Sequence, residues 1–333
     1  MTNWRDFPKL ELHCHLEGAA PPDLVRRLGA EQGIDLSGLF DAKGQYRSSD
    51  FTSFLQAYEL VSKVFAKPET YQALTEAVLA EQAANGVVYT EIFLSPTSLG
   101  YDAAEWEEML AAIEAGADTA EATHGIICRF IPVIIRHHGP DKATEATKVM
   151  LGARRGRMTG FGMAGDERQY HCQDFAGAFA AMAEAGFRLT AHAGEWGGPE
   201  SVRAALDALD VERIGHGVRA AEDADLVTRL AEERIVLETC PGSNVALGVY
   251  AELAKHPIGR LAEAGCAVTV STDDPPFFHT TMAREYENLA STFGMGAPDF
   301  HRFAATALDA AFCDAETKAR IAARLSHKGN EYV

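Results

Sequence analysis

Two histidines one residue apart, His13 and His15, end a short apolar run in "KLELHCHLEGAA", which begins at Lys9. In a strand, residues i and i+2 project to the same side, so both imidazoles can aim at one point while Cys14 faces away. That arrangement can grip a metal, and it equally suits two ordinary histidines at a strand end. Four other segments bear on the choice. "GMAGDE" carries Gly165, Asp166 and Glu167; "TAHAGE" carries His192 and Glu195; "IGHG" carries His216; "STDDPP" carries Asp273 and Asp274. Neutral imidazoles and carboxylates are zinc ligands, and a catalytic zinc keeps one position for water. His13, His15, His192 and Asp273 would supply three nitrogens and one oxygen, and water held there would become a nucleophile near neutral pH. Glu195, three residues past His192, is placed to transfer a proton without binding the metal. His216 is a second polar group for the same water. Asp274 points elsewhere than Asp273 and is free to accept a hydrogen bond from a substrate. A cation beside Asp273 offsets the repulsion between the adjacent carboxylates.

These residues are far apart in the chain, so strand ends must converge to unite them. Eight apolar, β-branched runs are spaced along it: "KLELHCHL", "VVYTEIFLSP", "IICRFIPVIIR", "TGFGMAG", "FRLTAHAGE", "RIGHGV", "RIVLETCP" and "CAVTVSTDDP". Between most of them lie Ala/Glu/Leu-rich stretches with helical spacing, such as Tyr71–Gly86, Trp106–Gly125 and Phe175–Gly186. Gly86, Gly186 and Gly265 suit helix C-caps. Near-continuous apolar strands alternating with helices mean a parallel sheet, and eight units mean a (β/α)8 TIM barrel, whose catalytic groups sit at the C-terminal strand ends. A doubly wound open sheet would carry a Gly-rich phosphate loop after its first strand, and "HLEGAAPP" is not one. About seventy residues separate Leu16 from Val87, too many for one crossover helix. Ser48–Phe65 reads as a helical insertion after strand 1, a lid over the barrel mouth carrying Phe51, Phe54, Leu55, Tyr58 and Phe65. With no low-complexity linker, residues 1–333 read as one domain.

Composition excludes several partners. A formal net charge of −18 opposes contact with phosphate backbones and anionic membrane surfaces. No apolar run has signal-peptide or bilayer-spanning length, and the six scattered cysteines form no Cys-x-x-Cys pair. A cytoplasmic protein with reduced thiols, acting on a small molecule, is the expectation. Cys240 reads as a buried structural thiol and Glu167 as part of a helix N-terminal charge pair. His137 and His138 have no carboxylate beside them and are not read as a second metal site. His124, His171, His256, His279, His301 and His327 are read as surface or loop residues. Oligomeric state is not legible.

Taken in order, His-x-His-Leu-Glu-Gly, Met-Ala-Gly-Asp-Glu, His-Ala-Gly-Glu, Gly-His-Gly and Ser-Thr-Asp-Asp-Pro resemble the adenosine/adenine deaminase family of metal-dependent amidohydrolases, from His13 to about Pro276. The resemblance implies one zinc ion held by His13, His15, His192 and Asp273, and hydrolytic loss of a purine 6-amino group as ammonia. It gives Glu195 the protonation of purine N1 and His216 the orientation of the attacking hydroxide. It gives the Gly165 N–H a contact to N3 and Asp274 a hydrogen bond to N7. In the adenosine branch the residue at Glu17 is usually Asp, which holds the ribose 5′-hydroxyl, whereas Glu is common in the adenine branch. "MAGDE" is similar to the nucleoside form of its loop. The expected substrates are therefore adenosine and 2′-deoxyadenosine, with adenine as runner-up. Two other readings, an amidohydrolase cleaving a lactam or ester and a metal-stabilised binding barrel, leave Glu195 without a purpose.

Overall fold

The apolar runs become strands because almost every residue in them is buried, a condition met when helices cover one face of a parallel sheet and the other face is the inside of a barrel. The computed structural model describes residues 3–47, 50–95, 100–153 and 156–329. Its strands are β1 (Lys9–His15), β2 (Val87–Leu94), β3 (Ile127–Ile135), β4 (Gly160–Ala164), β5 (Arg188–Ala193), β6 (Arg213–His216), β7 (Val236–Thr239) and β8 (Ala267–Val270). Each pairs in parallel with the next in sequence. The ring closes just past β8. There the Asp273 N–H donates to the His13 carbonyl at 3.1 Å and the His15 N–H donates to the Asp273 carbonyl at 3.0 Å. The fold is the expected TIM barrel, with its interleaved helices packed outside.

The expected helices are present with small shifts: Pro68–Ala84, Ala103–His124 and Ala176–Glu184, the last preceded by a 3-10 turn at Cys172–Phe175. Gly86, Gly186 and Gly265 adopt φ of +82°, +80° and +88°, the left-handed conformation that glycine ends a helix with at least cost.

The insertion after β1 holds helices α1 (Pro22–Gln32) and α2 (Phe51–Ser62), followed by α3 (Pro68–Ala84). Ser48, Ser49 and Pro96 of the expected elements, and the side chain of His327, lie outside the described residues. The side chain of Asp50 caps α2 by accepting from the Ser53 N–H at 2.9 Å. Aromatic contacts hold α2 across the barrel mouth. Phe54 packs on Phe277 and Phe278 at ring separations of 5.4 and 5.2 Å, and Phe51 packs on Trp196 at 5.1 Å. Phe65 departs from the expected lid lining. It is buried against Tyr71, because the chain turns down through a 3-10 segment before α3. No helix among the described residues is long and apolar enough to cross a membrane.

Three ionic side chains are buried together in the barrel. Arg213 places Nη2 2.7 Å from Glu91 and Nε 2.6 Å from Glu238, and its guanidinium lies 3.5 Å from the centre of the Phe312 ring. All three are shielded from water, so removing the cation strands two carboxylates. Arg213→Leu is therefore expected to lower stability to urea by about 3–5 kcal/mol. A loss below about 1 kcal/mol would contradict this pairing.

Candidate active site

Backbone geometry at the strand ends sets the directions of the polar side chains. Asp273 and His216 adopt φ of +68° and +59°, values rare for residues with a side chain and typical of sites held under local strain. His13 and His15 both reach Asp273 Oδ1, at 3.5 and 3.3 Å from Nε2. His15 Nε2 also lies 3.3 Å from His192 Nε2. One donor atom from each of His13, His15, His192 and Asp273 falls within 4.8 Å of the others, and all four residues are buried. The four residues come from three separate segments of the chain.

The donor chemistry fits a divalent cation. His13 Nε2 is buried and has no hydrogen-bond partner, while its Nδ1 lies 2.9 Å from Glu238. The Glu238 carboxylate thus accepts a hydrogen bond from Nδ1–H and turns Nε2 toward Asp273, where a cation would take the place of the Nε2 proton. Burial opposes charge on His13, yet Asp273 and Glu238 outweigh it and raise the imidazole to about 9, so the site favours positive charge. Burial also opposes ionisation of Asp273, and the close approach of His13 and His15 overcomes it and holds the group well below the usual range. Burial, reinforced by His13 and His216, keeps His192 neutral. His216, Cys240 and Asp273 likewise bring one donor atom each within 4.8 Å of the others. They form the poorer donor set: burial and the nearby carboxylates hold the Cys240 thiol protonated, and His216 Nδ1 is engaged at 3.2 Å by Asn244. Cys240 is buried, as expected of a structural thiol.

Around this cluster stand groups suited to moving protons. Burial, then the charges of Asp273 and Glu167, push Glu195 well above the carboxylate range, so it carries a proton. His216 Nε2 lies 3.8 Å from Glu195 and 4.0 Å from Asp273, and burial lowers its pKa to about 3. Ser243 donates to Asp273 Oδ2 at 2.6 Å. Asp274 Oδ1 is buried without a partner. A Cβ at Gly18 would lie 1.5 Å from that oxygen, which explains the glycine after Glu17. A cavity of about 180 Å³ covers these groups. His15, Gly165, His192, Glu195, His216, Asp273 and Asp274 line it, as do Phe51, Phe54, Leu55 and Tyr58 of α2.

Three residues depart from their sequence reading. Glu17, expected at a ribose, is 2% exposed and does not line the cavity. Its two oxygens accept from Tyr58 at 3.0 Å and Tyr71 at 2.7 Å, hydroxyls that reach it from α2 and α3. Glu167, read as one of a helix charge pair, sits in a turn short of the 3-10 segment at Cys172–Phe175 and not at a helix start. Its buried carboxylate accepts from the backbone N–H groups of Gly194, Glu195, Trp196 and Gly197, and so ties down the loop that carries Glu195. His256, read as a surface or loop residue, lies in a loop but is buried and bonded to Asn244. Asp166 pairs with Arg168 at 2.8 Å, and its N–H donates to His137 Nδ1 at 3.1 Å. His137 and His138 line the outer cavity. His279 is exposed, and the His301 ring packs tilted against Phe7 with centroids 4.9 Å apart. Glu238 escaped the sequence reading altogether. Its signal was a charged residue inside the buried run "RIVLETCP".

Comparison with known proteins agrees with this geometry. The chain matches the adenosine deaminase family over residues 8–328. It is 46% identical over 317 residues to an adenine deaminase of Chelativorans sp. (strain BNC1), covering 95% of this chain and 97% of the relative. Among solved structures, it resembles adenine deaminase from Arthrobacter aurescens with a TM-score of 0.89 and 31% identity over 98% of both chains. An amidohydrolase from Burkholderia ambifaria, solved with bound Zn, superposes with a TM-score of 0.89 at 28% identity, covering 99% of this chain and 92% of that one. The chain belongs to the adenosine deaminase family of the amidohydrolase superfamily and is a hydrolytic deaminase of a 6-aminopurine.

Proposed function

We propose that the protein hydrolyses adenine to hypoxanthine and ammonia, with one zinc ion held by His13, His15, His192 and Asp273. The choice of adenine rests on Glu17. Both of its oxygens are occupied by Tyr58 and Tyr71, and the same contacts draw α2 over the cavity. A ribose 5′-hydroxyl that took the place of either tyrosine would leave a buried tyrosine O–H donor unpaired and displace the lid, and such an unpaired donor costs more than the new bond returns. Relatives named adenine deaminase support the same choice. This reading sets the runner-up of the sequence analysis ahead of adenosine and 2′-deoxyadenosine.

When bound, the cation supplies Lewis acidity and a water that ionises near neutral pH. The chain's residues do the rest. Glu195 delivers its proton to purine N1, which makes C6 electrophilic and spares the ring negative charge as the water oxygen adds. His216 hydrogen-bonds that oxygen. The Gly165 N–H meets N3, and Asp274 Oδ1, the buried oxygen left without a partner, meets N7. As the C6–N bond breaks, the added oxygen becomes the C6 carbonyl. The proton from Glu195 stays on N1, one water hydrogen returns to Glu195 and the other leaves with the ammonia, so Glu195 is restored.

Steady-state kcat/KM should favour adenine over adenosine by about 100-fold or more. Faster turnover of adenosine would overturn the assignment. Glu195→Gln should retain zinc and lose about 10²–10⁴-fold in kcat, and near-normal turnover would place the proton donor elsewhere. Glu238→Gln should weaken zinc affinity about 10–100-fold in competition with a chromophoric chelator. Unchanged affinity would show that Glu238 does not orient His13.

A further inference from the structure

His216 can face the cavity with a hydrogen-bond donor or with a lone pair, and the two do different chemistry. A row of contacts behind it makes the choice. The backbone N–H of Ile258 donates to His256 Nδ1 at 3.3 Å. A peptide N–H can only donate, so Nδ1 carries a lone pair, and the neutral ring must hold its proton on Nε2. His256 Nε2 lies 3.1 Å from Asn244 Oδ1, so that atom is the acceptor and the Asn244 amide cannot be reversed. Reversal would set an N–H₂ against an N–H. The Asn244 Nδ2 group then donates to His216 Nδ1 at 3.2 Å, which leaves the His216 proton on Nε2, the atom nearest Glu195 and Asp273. His216, Asn244 and His256 are all buried, so no water relaxes the pattern.

We infer that Asn244 and His256 are positioning residues that lock His216 in its Nε2–H tautomer, so that it acts on the attacking oxygen as a hydrogen-bond donor. A donor stabilises negative charge growing on that oxygen, while the other tautomer would repel it. The anchor is a peptide bond, which no side-chain rotation can reverse. The inference rests on the deaminase reading of the site.

The test combines kinetics with the nitrogen spectrum of the histidines. Asn244→Asp removes the donor and forces the proton onto His216 Nδ1. In zinc-loaded enzyme, kcat on the best purine substrate should fall about 10²–10⁴-fold with KM within about threefold, the size of a misplaced tautomer in other enzymes. His256→Phe frees the Asn244 amide to turn and should lower kcat at least about tenfold. His256→Gln, which keeps an N–H donor for Asn244, should restore kcat to within about threefold. Long-range ¹H–¹⁵N spectra of histidine-labelled enzyme should show His216 protonated at Nε2 and bare at Nδ1, with the signals assigned by their loss in His216→Gln. This spectrum needs no substrate, so it separates failure of this inference from a wrong choice of purine. It also decides alone if a variant fails to fold. A proton on His216 Nδ1 in the unsubstituted protein would overturn the inference. So would near-normal kcat in Asn244→Asp, or equal activity of the Phe and Gln variants at His256.

Discussion

The barrel closes through Asp273, and most of the site follows from that. Its N–H and C=O bond the backbone on either side of Cys14, so the residue that completes the ring is also the one that both β1 histidines reach. The positive φ of Asp273 turns its carboxylate toward His13 and His15 and leaves Asp274 against Gly18. Closure and site geometry are therefore one constraint. A slip of β1 by one residue would turn Cys14 inward in place of the histidines.

Electrostatics extend the constraint through the barrel. Buried carboxylates are stable only where charge or donors meet them. Arg213 answers Glu91 and Glu238, Glu238 answers His13, and Ser243 with His13 and His15 answers Asp273. Glu195 and Asp274 have no such cation, and burial beside Asp273 keeps both protonated. The same low-dielectric interior thus gives one set of acids the role of ligand and orienter and leaves another set holding a proton, a division well suited to general acid catalysis.

The barrel and the cluster at its mouth were legible in the sequence because each depends on local pattern: apolar runs of strand length, and His or Asp where about half of the runs end. Residues that act from behind carry no such mark. Glu238 lies inside an apolar run, where only its charge is out of place. Glu167 and His256 act through loops brought near by other strands, and spacing along the chain does not report that approach. Glu17 was legible as a carboxylate at the mouth. That it faces two tyrosines depends on how α2 and α3 pack, which helical periodicity leaves open.

The most direct test of the account is a crystal structure of the zinc-loaded protein with anomalous data at the zinc edge. A single peak is expected, bound by Nε2 of His13, Nε2 of His15, Nε2 of His192 and Oδ1 of Asp273, with Glu195 nearby and unbound. A peak held instead by Cys240 and His216, or coordinated by Glu195, would contradict it.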